Sequence, residues 1–210
     1  MEDTHHHFEV VIEHDGRRIR RAVANSIRAP WSTCPTGAAG IAAMEGSELT
    51  EAGRVTSWAA DRTTTCVHTV DLAALALRRA EVTDDVVFEV RLRDPDRSCQ
   101  RLTVERDGET KLWWEIEGGV ILAPSPFAGH RARDRSVLAA ADTSDDGVVE
   151  LVRIARRCAH IGQSRAIDLD QFEVAADAVP PDGSCYTHQV GISVRARRVR
   201  GSSRATELNQ

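Results

Sequence analysis

Two cysteines and one histidine have the residue types and positions that could support chemistry. Cys34 stands in the turn Ala29–Gly37, directly before a proline and an alanine- and glycine-rich stretch. Cys66 stands just ahead of a second alanine-rich stretch, and His68 follows it two residues on. Each cysteine is therefore predicted at the beginning of a helix, where the positive helix end and unpaired N–H groups favour the thiolate.

Two thiolates and an imidazole are three ligands of a zinc or iron site, with a carboxylate or water able to complete it. The same groups could instead serve as a nucleophile and its general base. The spacing C-x31-C-x-H matches no standard short zinc motif. On an ideal helix Cys66 and His68 point about 200° apart, which separates them unless both lie before or within the first turn. We predict a Cys34, Cys66 and His68 site, either catalytic or metal-binding.

A second group of reactive side chains lies near the C-terminal end. Cys185 and His188 follow the turn Pro180–Ser184, and Tyr186 between them is the only tyrosine of the chain. We expect an extended segment here, whose phenol and imidazole could join the first cluster as acid–base groups. The alternative is a strand whose alternate residues are buried.

Three aromatic residues are candidates for an apolar substrate pocket. Trp114 lies in a predicted strand, and Trp31 and Phe127 lie in loops that contain prolines. The alternative for Trp114 is core packing. The three adjacent histidines His5–His7 are interpreted as a solvated terminus or an engineered remnant rather than as a metal-binding tract.

The elements that must position these residues predict an α+β fold. Residues 1–82 read as a β-hairpin around His14-Asp15-Gly16 followed by three helices, over Thr36–Met44, over Leu49–Ala60 and from Thr63 or Thr64 onward. Residues 83–194 read as an antiparallel meander with C-terminal helices. Its predicted elements are strands at Val86–Leu92, Arg101–Glu105, Lys111–Glu117 and Val120–Ala123 and helices at Ser136–Ala141 and Val148–His160. Residues 195–210 read as a polar tail.

The order of motifs in residues 8 to 80 resembles the iron–sulfur cluster scaffold fold. The resemblance rests on the hairpin, the stretch Cys34–Ala43, the run Leu49-Thr50-Glu51-Ala52 and the segment Thr65–His68 before a final alanine-rich helix. It implies a β-β-α-α-α unit; no cysteine lies on the N-terminal hairpin, where that family carries one. The pairs Cys34-Pro35 and Cys66-Val67-His68 also look similar to a bacterial domain family of unknown function, which implies that the three reactive residues belong together.

Composition and charge exclude several classes of function. The net charge of -5 disfavours a general nucleic-acid or anionic-membrane binder. The N-terminal residues lack the basic start and apolar core of a secretory signal, so we expect a cytoplasmic protein. A homodimer is one assembly that we expect this chain could form. The five cysteines are an odd count for such a protein, which favours free thiols over structural disulfides.

These observations favour an enzyme acting on a small apolar or aromatic metabolite. The expected step is a lyase, isomerase or hydrolytic reaction by Cys/His chemistry, with zinc or iron as the candidate metals. The alternatives are a non-catalytic metal or iron–sulfur binding module on the same residues, and a structural partner subunit with inert thiols.

Overall fold

The structure is a computed structural model that describes residues 1–49, 63–82, 84–94, 99–141, 146–179 and 183–204. These residues form both helices and antiparallel sheets, so the predicted α+β class is confirmed. The helix predicted over Leu49–Ala60 lies outside the described residues from position 50 onward. Within the described ranges, no helix combines the length and the apolar character needed to cross a membrane.

The chain folds into two compact units. Unit 1 contains Met1–Thr83 together with Ile167–Gln210, and unit 2 contains Asp84–Ala166. The sequence pattern had grouped residues 83–194 and separated a tail from residue 195. The contacts instead place everything from Ile167 onward with the N-terminal unit, so unit 1 is built from both ends of the chain.

A two-stranded antiparallel hairpin opens unit 1. Strand β1 spans His7–His14 and β2 spans Ile19–Arg28, with the turn between them at the predicted position. The turn is fixed by the Asp15 carboxylate, which accepts hydrogen bonds from the N–H groups of Arg17 and Arg18. The inward-facing side chains Phe8, Ile19 and Ala22 are buried.

Two helical segments pack against the hairpin. Helix α1 spans Cys34–Ala39 and continues as a 3-10 helix over Gly40–Met44, and helix α2 spans Val67–Arg78. They form a common core with β2, made of the buried side chains Ile19, Ala22, Ile41, Met44, Val70, Ala73 and Leu77. This apolar contact fixes the first turn of α2, which carries His68.

Unit 2 is a four-stranded antiparallel meander. Its strands β3 (Phe88–Arg93), β4 (Cys99–Arg106), β5 (Glu109–Glu117) and β6 (Val120–Ala123) pair in sequence order, as predicted. Helices α3 (Ser136–Ala140) and α4 (Asp146–Ile161) follow, and α4 packs on the sheet. The meander buries one face, which contains Leu102, Val104, Leu112, Trp114, Ile116 and Ile121.

The described part of the C-terminal segment, from Ile167 to residue 204 with residues 180–182 excepted, packs into unit 1. It includes helix α5 (Ala175–Ala178) and a 3-10 helix at Tyr186–His188. Arg198 is buried: it pairs with Asp170 across 2.9 Å, donates to the carbonyl of Pro30 and lies over the ring of Trp31. These partners compensate the free-energy cost of removing a guanidinium from water. The burial of Arg198 could not be predicted from composition alone.

Gly40 marks a close approach of two backbones. A Cβ added there would lie 2.4 Å from the carbonyl oxygen of Thr64, on the segment that leads into α2. We therefore expect Gly40→Ala to lower the free energy of unfolding by about 1–3 kcal/mol, since this backbone must shift to accept a methyl group. Urea denaturation measures the effect, and Ala42→Ser at an exposed position of the same 3-10 helix is the control. Equal stability of the two variants would contradict the packing described.

Candidate functional site

The structure brings Cys34 and Cys66 into one core. Cys34 is the first residue of α1, and Cys66 directly precedes α2 with an extended backbone. The N–H of Cys66 donates to the carbonyl of Gly37 across 2.8 Å, which ties the beginning of α2 to the first turn of α1. Both side chains are buried in the same cluster as Phe8 and Trp31.

Burial keeps the thiol of Cys34 protonated. Removal from water, and after it the charge of the neighbouring Cys66, raise its pKa to about 12, although the hydrogen bond from Thr187 lowers it. The Sγ of Cys34 lies 3.6 Å from the hydroxyl of Thr187, which in turn lies 2.9 Å from that of Thr33. The thiolate expected at this helix start is therefore wrong for Cys34, because the loss of hydration outweighs the field of a six-residue helix.

Cys66 and His68 are neighbours in space as well as in sequence. The Sγ of Cys66 lies 3.7 Å from Nδ1 of His68. Because α2 begins at Val67, Cys66 precedes the helix and the angular separation of an ideal helix does not apply. The structure thus satisfies the geometric condition under which these two side chains can act together.

The second predicted group reaches the cluster through its middle residues. Tyr186–His188 is a 3-10 helix rather than the expected extended segment. The N–H of Tyr186 donates to Thr65, and its side chain lies against Gly37, where a methyl group would come within 3.0 Å of its Cβ. The direct contact with a predicted site residue is made by Thr187, which the sequence reasoning missed.

The N-terminal residues bring two further groups that the sequence reasoning did not assign. The ring of His6 stacks on that of His68 with centroids 4.1 Å apart and an interplanar angle of 29°. Oδ1 of Asp3 accepts hydrogen bonds from the N–H groups of His5 and His6, each at 2.7 Å, and lies 3.1 Å from Nδ1 of His6. Asp3 thus fixes both the backbone and the ring of His6.

Asp3, His6 and His68 gather their donor atoms. One donor atom from each lies within 4.8 Å of the other two. Burial would raise the pKa of Asp3, but the hydrogen bond from His6 and the charges of His6 and His68 hold it well below its usual range. Two imidazole nitrogens and a carboxylate oxygen are a set that zinc and ferrous iron accept. Among the described residues, this group meets the spacing of a metal site, whereas the predicted set of Cys34, Cys66 and His68 does not.

The interpretation of His5–His7 as a solvated terminus is wrong. His5 is only 2% exposed, with Nδ1 2.9 Å from the hydroxyl of Ser203, and His6 lies in the stack. One signal in the sequence could have found it: an aspartate followed by histidine three residues on suits a turn in which the carboxylate accepts the following N–H groups.

The predicted pocket residues lie in different cores. Trp114 and Phe127 are buried in unit 2 with their rings 5.8 Å apart, so they pack as core side chains. Trp31 belongs to unit 1, where it lines a groove of about 290 Å³ together with Arg28, Pro35 and Val199. His188 is the last residue of the 3-10 helix Tyr186–His188, and its N–H donates to the carbonyl of Cys185 across 3.1 Å.

Comparisons of the chain with protein-family models, with curated proteins and with solved structures find no match.

The raised pKa of Cys34 predicts a pH dependence of stability. Unfolding exposes a thiol with a pKa of about 8.5, so below that pH both states hold the proton and the group adds no pH dependence. Between about pH 9 and the folded value of about 12, the unfolded state loses its proton first, and stability falls by about 1.4 kcal/mol per pH unit. Wild type should therefore lose about 1.4 kcal/mol more than Cys34→Ala between pH 9.5 and 10.5 in urea denaturation. Parallel losses would contradict a buried, neutral thiol.

Proposed function

We propose that unit 1 binds one divalent metal ion, zinc or ferrous iron, through Asp3, His6 and His68 and uses it in a hydrolytic or lyase step on a small molecule. The observation that carries the proposal is the convergence of these three donors within 4.8 Å. Asp3 is ionised at neutral pH, as an ordinary aspartate is, and so offers a negatively charged oxygen to a cation.

Among the residues that the structure describes, three side chains gather their donor atoms, and this number supports catalysis over a purely structural role. Structural zinc sites are usually closed by four protein ligands, whereas catalytic sites have three and leave a position for water or substrate. The side chains of His6 and Asp3 are 12% and 19% exposed, so the site is sheltered yet open to solvent. A bound metal ion would supply an activated water or polarise a substrate oxygen.

The surrounding residues support defined roles. Asp3 orients the ring of His6 through its hydrogen bond to Nδ1. The thiol of Cys66 lies beside Nδ1 of His68, where it can orient that ring or exchange a proton with it. Phe8 closes the stack, with its ring centroid 5.6 Å from that of His6 and 6.1 Å from that of His68. Cys34 contributes to the core beneath them as a neutral thiol.

A non-catalytic metal or iron–sulfur module is the alternative, and one observation favours it. Negative charge on Cys66 or on Cys185 raises the pKa of Cys34, which supports a common region of unit 1 for the three thiols. Thiolates are the ligands of iron–sulfur clusters and of soft metals. An anaerobically purified protein with intense sulfur-to-metal absorption would support this alternative.

Metal content per chain tests the proposal. Wild type and His14→Ala, whose side chain lies exposed at the hairpin turn, should each bind one cobalt or zinc ion per chain. His68→Ala should lose more than about 100-fold in affinity, since losing a direct ligand exceeds the 10- to 100-fold effect typical of outer-shell residues. Binding by His68→Ala with wild-type affinity would contradict the proposed ligand set.

An open coordination position predicts a second result. Azide added to the cobalt-loaded protein should shift the visible bands, because a small anion can enter a site with three protein ligands. The same addition should leave the bands unchanged if four protein ligands close the site. Unchanged bands would favour the non-catalytic metal module over catalysis.

A further inference from the structure

Arg28 ends strand β2 and lies opposite His7, the first residue of β1. Its guanidinium therefore reaches the residues that immediately precede β1. Nη2 donates to the carbonyl oxygens of Asp3 at 2.6 Å and His6 at 3.2 Å, and Nη1 donates to that of Thr4 at 2.8 Å. Two of these three carbonyls belong to ligands of the proposed metal site.

The same guanidinium connects this segment to the rest of unit 1. Nη1 also donates to the carbonyl of Ser202 across 2.9 Å, and Nη2 pairs with the carboxylate of Glu2 across 3.0 Å. The N–H of Arg204 adds a second hydrogen bond to the carbonyl of Thr4. Residues 1–6 are thus held between the end of β2 and the C-terminal segment.

The planar fork of arginine suits this task. It directs five N–H groups in fixed directions, so several carbonyls bound to it are held at fixed relative positions. A lysine would bring the same charge as a single point with three rotatable donors. The side chain of Arg28 is only 12% exposed, so water cannot readily replace the hydrogen bonds that it makes.

We propose that Arg28 is the positioning residue of the metal site: it holds the main chain of Asp3, Thr4 and His6 so that the two ligand side chains face His68. This inference rests on the proposed function for its metal, but the placement of His6 against His68 exists without one. Loss of Arg28 would leave every ligand in the chain and remove the frame that sets their separation.

Cobalt titration of Arg28→Lys tests the proposal. Arg28→Lys should bind cobalt about 10- to 100-fold more weakly than wild type, with altered visible bands, as outer-shell residues do. The control is Arg21→Lys, the same substitution on the same strand at an exposed ion pair with Glu13, which should keep the wild-type affinity and spectrum. Wild-type affinity and bands in Arg28→Lys would overturn the proposal.

The ring protons of His6 and His68 give a readout that needs no metal. In the metal-free protein, the stack predicts ring-current shifts for both residues, and these should move toward free-histidine values in Arg28→Lys but not in Arg21→Lys. Unchanged shifts in Arg28→Lys would overturn the positioning role even if the metal binds. If wild type binds no metal but the ring-current shifts change in Arg28→Lys, the proposed function fails and the role of Arg28 in placing His6 stands.

Should Arg28→Lys fail to fold, Arg28→Gln, which keeps two amide donors, takes its place in both measurements.

Discussion

The candidate site depends on one contact, the stacking of the His6 ring on that of His68 at 4.1 Å. His68 is fixed because α2 packs on the hairpin, but His6 belongs to a short N-terminal segment with no regular structure of its own. That segment is held locally by the hydrogen bonds that Asp3 accepts from His5 and His6, and from outside by hydrogen bonds to Arg28, Ser203 and Arg204. The order of residues 1–6 therefore comes from a local turn and tertiary contacts together, and the donor set depends on both.

The two predicted thiols have a different role from the one that their positions suggest. Cys34 and Cys66 join α1 to α2 in a buried cluster, and the same burial that packs them raises the pKa of Cys34. A thiol in this state is a small apolar side chain rather than a nucleophile. Cys66 differs because its Sγ lies 3.7 Å from Nδ1 of His68, where it can influence the proposed metal ligand.

Much of the fold could be predicted from the sequence, because local patterns determine it. The meander follows from alternation on a half-buried sheet, and Val120–Ala123 matches its predicted bounds. The site could be predicted only in part. His68 was predicted as a site residue. The order of His6 could not be predicted, because the N-terminal tract is held in part by residues that are distant in sequence. One example is the contact of His5 with Ser203, which lies 198 positions further along the chain. Arg198 lies in a charged stretch that composition reads as solvated, and its burial depends on Asp170 and Trp31, whose proximity no local pattern encodes.

The identity of the metal-bound atoms tests the central claim most directly. X-ray absorption of the zinc-loaded protein distinguishes nitrogen and oxygen ligands at about 2.0–2.2 Å from sulfur at about 2.3 Å. The geometry of Asp3, His6 and His68 predicts a shell of nitrogen and oxygen only, with the scattering of two imidazole rings. A sulfur shell would contradict this account, because it would place cysteine thiols among the metal ligands.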